Sequence, residues 1–172
     1  MRRGYIQVYT GNGKGKTTAA LGLALRAAGA GLRVFIMQFI KQRRCSEHNA
    51  LERFSDLITI RRCGKGFLTG KRPVKSDMES AEKGFEEAAN IICSGQYDVV
   101  ILDEINIVLH YRLVDIKKIL DVMENKPVGL ELVLTGRYAP ETIISKADLV
   151  TEMKDIKHYS GCGIKARAGI EC

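Results

Sequence analysis

The chain contains no tryptophan and only three histidines among its 172 residues, and both shortages narrow the chemistry open to it. His48, His110 and His158 lie far apart in sequence, so no Ser–His–Asp or Cys–His arrangement and no evident proton-transfer dyad can be read from the order of residues. A reaction whose nucleophile has no proton to lose needs none. No apolar run approaches the ~20 residues of a membrane-spanning helix. Met1-Arg2-Arg3 leads into a polar-interrupted strand rather than a signal-peptide core, so a cytoplasmic protein with no membrane partner is expected. The five cysteines (Cys45, Cys63, Cys93, Cys162, Cys172) form no C-x-x-C pair and have no histidine at zinc spacing, which indicates neither a zinc site nor a disulfide framework. Cys93 reads as a core residue on an apolar helical stripe. Internal repeats and low-complexity tracts are also missing, and the length suits a single domain spanning 1–172.

Charge is present in excess and unevenly. Between Lys41 and Lys75 ten basic residues face three acidic ones, so the whole net charge of +7 lies in that segment. It is either a solvated basic face or a local field for an acidic ligand or partner. The segment offers only Phe54 and Phe67 as stacking residues, fewer than a nucleic-acid groove usually interleaves with its charge, and no nucleic-acid partner is expected.

Periodicity gives alternating strands and helices. Tyr5–Thr10 alternates as a strand, Lys16–Ala28 is a helix stopped at Gly29, and Arg33–Phe39 is a buried strand, which together make a βαβ unit. After a looser basic stretch, only Leu57–Arg62 reads as a strand. Ser76-Asp77-Met78-Glu79 resembles a capping box, followed by Met78, Ala81, Phe85, Ala88 and Ile92 at helical spacing up to Gly95. Then come a strand at Val99–Leu102, a helix near Asp115–Glu124, a strand at Leu130–Leu134, a short helix after Pro140 and a strand at Asp148–Glu152. The glycine-bearing tail from Gly161 to Gly169 is expected to be a loop over the site.

Between the first strand and helix stands Thr10-Gly11-Asn12-Gly13-Lys14-Gly15-Lys16-Thr17-Thr18, a phosphate-binding loop. Its glycines let backbone N–H groups turn inward, and the helix start adds roughly half a positive charge at the same point. Lys16 can reach the outer phosphates and the Thr17 hydroxyl can hold Mg²⁺. Thr10 occupies the place of the usual first glycine, so the cradle is a variant one. Asp103 and Glu104 end the most apolar strand in the manner of a metal-binding acidic pair, with the choice of direct ligand open. Arg137 emerges at the same sheet edge, either to clamp phosphate oxygens or to form a surface ion pair. Arg26, ten residues after Lys16, is either solvent charge or part of the nucleotide site, and spacing alone favours the former.

Gly11–Ala20, Arg26-Ala27-Ala28-Gly29, Gln38-Phe39-Ile40-Lys41, Leu102-Asp103-Glu104-Ile105-Asn106, Leu134-Thr135-Gly136-Arg137, Ala147–Met153 and the closing Ile156-Lys157-His158, Gly163–Ala166 and Gly169-Ile170-Glu171 together resemble the P-loop family of ATP:corrinoid adenosyltransferases nearly end to end. The resemblance implies an α/β fold of the P-loop NTPase, RecA-like kind, a parallel sheet with helices on both faces. It implies transfer of the 5′-deoxyadenosyl group of ATP to the cobalt of a reduced corrinoid with release of triphosphate, the γ-phosphate lying deep in the cradle. Carried onto this sequence, ATP is bound by Gly11, Asn12, Gly13, Lys14, Gly15, Lys16, Thr17, Thr18, Arg26 and Arg137. Catalysis rests on Lys16, Thr17 and Glu104, and Mg²⁺ on Thr17, Asp103 and Glu104. The family's corrin-facing aromatic pair is matched only by Phe67, because Thr69 stands where a tryptophan would be; Phe67 as ordinary core is the other reading. Gln42–Glu47 also departs from the family's loop after Lys41. A homodimer and an acidic flavodoxin-like electron donor are implied as partners. An ATPase acting on nucleic acid and a small-molecule kinase are the competing readings.

Overall fold

The computed structural model describes residues 3–41, 44–64, 66 and 73–171. Along the chain these form β1 Ile6–Thr10, α1 Lys16–Gly29, β2 Val34–Gln38, α2 Ser46–Leu51, β3 Ile58–Arg62, α3 Lys75–Cys93, β4 Val99–Asp103, α4 Ile105–His110, α5 Ile116–Asn125, β5 Glu131–Thr135, α6 Glu141–Ile144 and β6 Leu149–Glu152. The strands pair in parallel in one sheet of order β3-β2-β4-β5-β1-β6. Because β2 and β4 are buried along their whole length, they can be apolar on both faces rather than alternating.

The pleat sends successive side chains to opposite layers. Phe35, Met37, Val100, Leu102, Leu132 and Leu134 pack under α3, α4, α5 and α6. Val34, Ile36, Val99, Ile101 and Val133 pack under α1 and α2. Ala20, Ala24, Ala27 and Ala28 are the buried face of α1, and side chains this small let the helix lie close over the sheet.

Two boundaries differ from the sequence reading. Gly29 is the last residue of α1; the chain turns away two residues later, where Gly31 takes φ 77 and the N–H groups of Gly31 and Leu32 return to Ala28 O at 2.9 Å and Ala27 O at 3.0 Å. The start of α3 is capped by Asp77, whose carboxylate accepts the Val74 N–H at 3.0 Å, so the helix begins one residue before the expected Ser76. Ala81, Phe85, Ala88 and Ile92 are its buried stripe, whereas Met78 and Cys93 are exposed. Cys93 stands one residue, about 100° of helix, beyond Ile92 and so leaves the stripe. The short helices α2 and α4 were not anticipated.

A parallel sheet brings the carboxyl ends of all its strands to one edge. Three of the four non-glycine residues in the left-handed region among the described residues lie there: Ile40 (φ 55) after β2, Glu104 (φ 63) after β4 and Tyr138 (φ 62) after β5. Each such conformation costs on the order of 1 kcal/mol or more, a strain characteristic of functional edges.

Candidate nucleotide and metal site

The loop between β1 and α1 is shaped by what passes beneath it. The chain leaving β6 runs so close that a Cβ on Gly11 would lie 2.4 Å from Met153 O, and one on Gly13 would lie 2.7 Å from both Met153 O and Lys154 O. Two backbone bonds fix the contact, Met153 N–H to Thr10 O at 2.8 Å and Gly13 N–H to Met153 O at 2.7 Å. The Gly13 N–H is therefore engaged by the chain leaving β6 rather than turned into the cradle. Gly15, at φ 116, turns the chain into α1.

Lys16 is 7% exposed, and its ammonium bridges Gly11 O at 2.8 Å and Gly13 O at 2.6 Å. Burial pushes its pKa below the ordinary lysine value, with Glu104 and Asp103 acting against that and Arg137 adding to it. Lys14 points the other way. Its ammonium meets Tyr159 Oη at 2.7 Å, Glu171 Oε1 at 3.1 Å and Ile170 O at 3.2 Å, so the tail does fold back onto the loop. Asn12 and Thr18 are exposed.

β5 lies between β1 and β4, and its last residue joins the two motifs. Asp103, 1% exposed, accepts hydroxyl protons on Oδ1 from Thr17 at 3.0 Å and Thr135 at 2.7 Å, and the Gln38 amide on Oδ2 at 3.0 Å. The Glu104 carboxylate accepts no hydrogen bond from any described residue. Burial and the Asp103 charge push its pKa up to about 7, against Lys16, Arg137 and Lys41. Beside it the buried Asn106 Oδ1 has no partner among the described residues, while Asn106 Nδ2 donates to Gly136 O at 3.2 Å. Two adjacent carboxylates with a hydroxyl on one of them, low in solvent and without a close ion pair among the described residues, are a set of hard oxygen donors that fits a divalent cation such as Mg²⁺.

The structure thus brings Lys16, Thr17, Asp103 and Glu104 together, and Arg137 acts on this group through its charge while exposed to solvent. Arg26 is exposed in the last turn of α1, at the far end of the helix from the loop. Phe67 and Thr69 lie outside the described residues. Gln38 and Thr135 were missed by sequence reasoning. Gln38 did carry a signal, as the polar residue that ends a fully buried strand.

Outside the motifs, Cys45, Glu47 and His48 place one donor atom each within 4.8 Å of one another, although their sequence spacing is not that of a zinc site. The Glu47 and His48 donors are already engaged. The His48 N–H donates to Cys45 O at 3.1 Å at the start of α2, Glu47 holds Lys41 Nζ at 2.7 Å, and both nitrogens of the His48 ring have partners.

Residues 2–172 match the family described as ATP:corrinoid adenosyltransferase BtuR/CobO/CobP. A corrinoid adenosyltransferase of Sinorhizobium is 40% identical, covering 98% of this chain and 80% of the relative. Those of Pseudomonas aeruginosa and Escherichia coli K12 are 35% and 34% identical, each over 98% of this chain and over 84% and 86% of the relative. Among solved structures, the flagellar accessory protein FlaH of Methanocaldococcus jannaschii superposes with a TM-score of 0.62 at 14% identity, covering 88% of this chain and 72% of that one, a likeness of fold. With its phosphate-binding loop, acidic strand end and parallel sheet joined in one match over residues 2–172, the chain belongs to the ATP:corrinoid adenosyltransferase family.

Proposed function

We propose that the chain transfers the 5′-deoxyadenosyl group of ATP to the Co(I) centre of a reduced corrinoid and releases triphosphate, in the making or salvage of adenosylcobalamin. The observation that carries this reading is the full-length similarity to corrinoid adenosyltransferases. In the reaction the cobalt supplies both electrons of the new Co–C5′ bond, the C5′–O bond breaks and its electron pair leaves with triphosphate. Cobalt rises formally from Co(I) to Co(III), and no proton has to be removed.

The residues of the chain then have three tasks: to align ATP, to exclude water and to stabilise charge on the departing triphosphate. Lys16, which rests on the carbonyls of Gly11 and Gly13, is within the cradle to bind phosphate oxygens, and Arg137 adds positive charge from the β5 end. Thr17 and Glu104 supply oxygens for Mg²⁺, and Asp103 orients the Thr17 hydroxyl. Mg²⁺, when bound, neutralises part of the triphosphate charge. Phe67 is the residue assigned to the corrin face, by its match to the family motif.

The basic 41–75 segment suits an acidic flavodoxin-like electron donor, although Lys41, Arg44 and Arg61 spend part of their charge on Glu47, Glu52 and Glu87. A homodimer is supported by β6, a sheet-edge strand with Leu149 and Val150 both over 40% exposed. For location, none of the described helices is long and apolar enough to cross a membrane.

Product chromatography tests the reaction class. Incubation with ATP, Mg²⁺ and chemically reduced cobalamin should yield triphosphate and no ADP. Accumulation of ADP would point to a kinase or ATPase and overturn the reading.

A further inference from the structure

Behind Asp103 a line of hydrogen bonds runs away from the loop and ends on α2. Gln38 donates its Nε2 to Asp103 Oδ2 at 3.0 Å, and its Oε1 lies 2.7 Å from His48 Nε2. His48 Nδ1 lies 2.9 Å from the Cys45 N–H and 3.1 Å from Cys45 O, so that side of the ring suits either tautomer. The other end of the line fixes the direction. The Asp103 carboxylate can only accept, so Gln38 presents its NH₂ group there and turns Oε1 to the ring. Oε1 is itself an acceptor, so the neutral His48 ring bears its hydrogen on Nε2 and gives it to Gln38. Gln38 is fully buried and His48 is 4% exposed, so neither has water as a substitute partner. Burial also lowers the His48 pKa, which keeps the ring neutral.

We propose that His48 is a positioning residue for the metal–phosphate site, acting through Gln38 to hold the Asp103 carboxylate, and through it the Thr17 hydroxyl, in the orientation that receives the divalent cation. This rests on the reading of Thr17, Asp103 and Glu104 as the cation site. The asymmetry of the amide is the central point. Without a donor at position 48, the Gln38 amide is free to turn and set Oε1 against the carboxylate, which repels it. Outer partners that orient metal-site groups are typically worth about 10–100-fold in metal affinity. Donation, rather than the imidazole itself, is what the position requires.

The test uses Mn²⁺ as probe, with its affinity for the protein–ATP complex read by electron paramagnetic resonance. His48→Met fills the space without a donor and should weaken Mn²⁺ binding about tenfold. His48→Gln, which keeps an N–H, should stay within about threefold of the parent, and Gln38→Met should match His48→Met with no further loss in the double variant. Asp103→Asn is the control for the site. If it weakens Mn²⁺ while His48→Met and Gln38→Met do not, the positioning role is wrong and the site stands. If none of them changes Mn²⁺ affinity, the site reading and the proposal both fall. Equal losses in His48→Gln and His48→Met would also overturn the donor argument. A second readout needs no metal: long-range ¹H–¹⁵N spectra of the metal-free protein should show His48 protonated on Nε2, and a proton on Nδ1 instead would contradict the proposal.

Discussion

Lys16 and Glu104 carry opposite charges in the same poorly solvated edge, and each gives a separate expectation. Lys16→Ala removes a preorganised donor to the triphosphate and should lower kcat by about 10²–10³, equivalent to about 2.7–4 kcal/mol, with the fold retained. Near-normal turnover by a folded variant would remove the loop from the mechanism. Glu104 has its pKa raised from 4.5 to about 7 in the folded chain, chiefly by burial. Between those values only the folded state holds the proton, so the Glu104 contribution to stability is complete below about pH 4.5 and is lost as pH rises through about 7. Urea unfolding in EDTA should show the parent losing on the order of 3 kcal/mol relative to Glu104→Gln over that range, and parallel profiles would contradict it. Lys16, Thr17 and Asp103 were legible in sequence because their motifs are local. The partners of Asp103 were not, since Gln38 lies 65 residues and Thr135 32 residues away along the chain, and only strand pairing brings them together.

At the scale of elements, the loop and the middle of α1 set opposite demands on glycine. Gly13→Ala would drive a methyl against the Met153 and Lys154 carbonyls, which belong to backbone and cannot swing aside. It should cost about 1–3 kcal/mol and weaken ATP binding. Gly22, inside α1 with nothing within 4 Å of an added Cβ, should gain about 0.5–1 kcal/mol on change to alanine. Thermal unfolding of the two variants reads both signs, and a stabilising Gly13→Ala would mean that the loop does not rest on β6. Long periodic elements such as α1, α3 and β4 were legible, whereas α2 and α4 were not. Each of those has only six residues, too few to show a helical period, and α4 starts from the left-handed Glu104 rather than a recognisable cap. Cys93 was misplaced because a stripe read from spacing does not show where its last turn leaves the core.

For the whole molecule, the alternation of strands and helices announced a parallel α/β sheet, but not the order in which its strands pair. That order rests on contacts between distant segments, and it is what sets β5 between the loop strand and the acidic strand. The uneven charge also acts at this scale. Charge reversal at Arg43, Arg44, Arg61 and Arg62 should slow a flavodoxin-driven reaction and flatten its dependence on ionic strength, since screening sets in over about 10 Å at 0.1 M salt. The chemically reduced reaction should continue; a joint fall of both would place these arginines in the substrate site or the fold. The central claim is the bond formed between cobalt and C5′. The visible spectrum of a mixture of protein, ATP, Mg²⁺ and chemically reduced cobalamin tests it most directly. The expected result is a cobalt–carbon product that light destroys and that the Lys16→Ala protein does not form, while a spectrum unchanged by the protein would contradict the account.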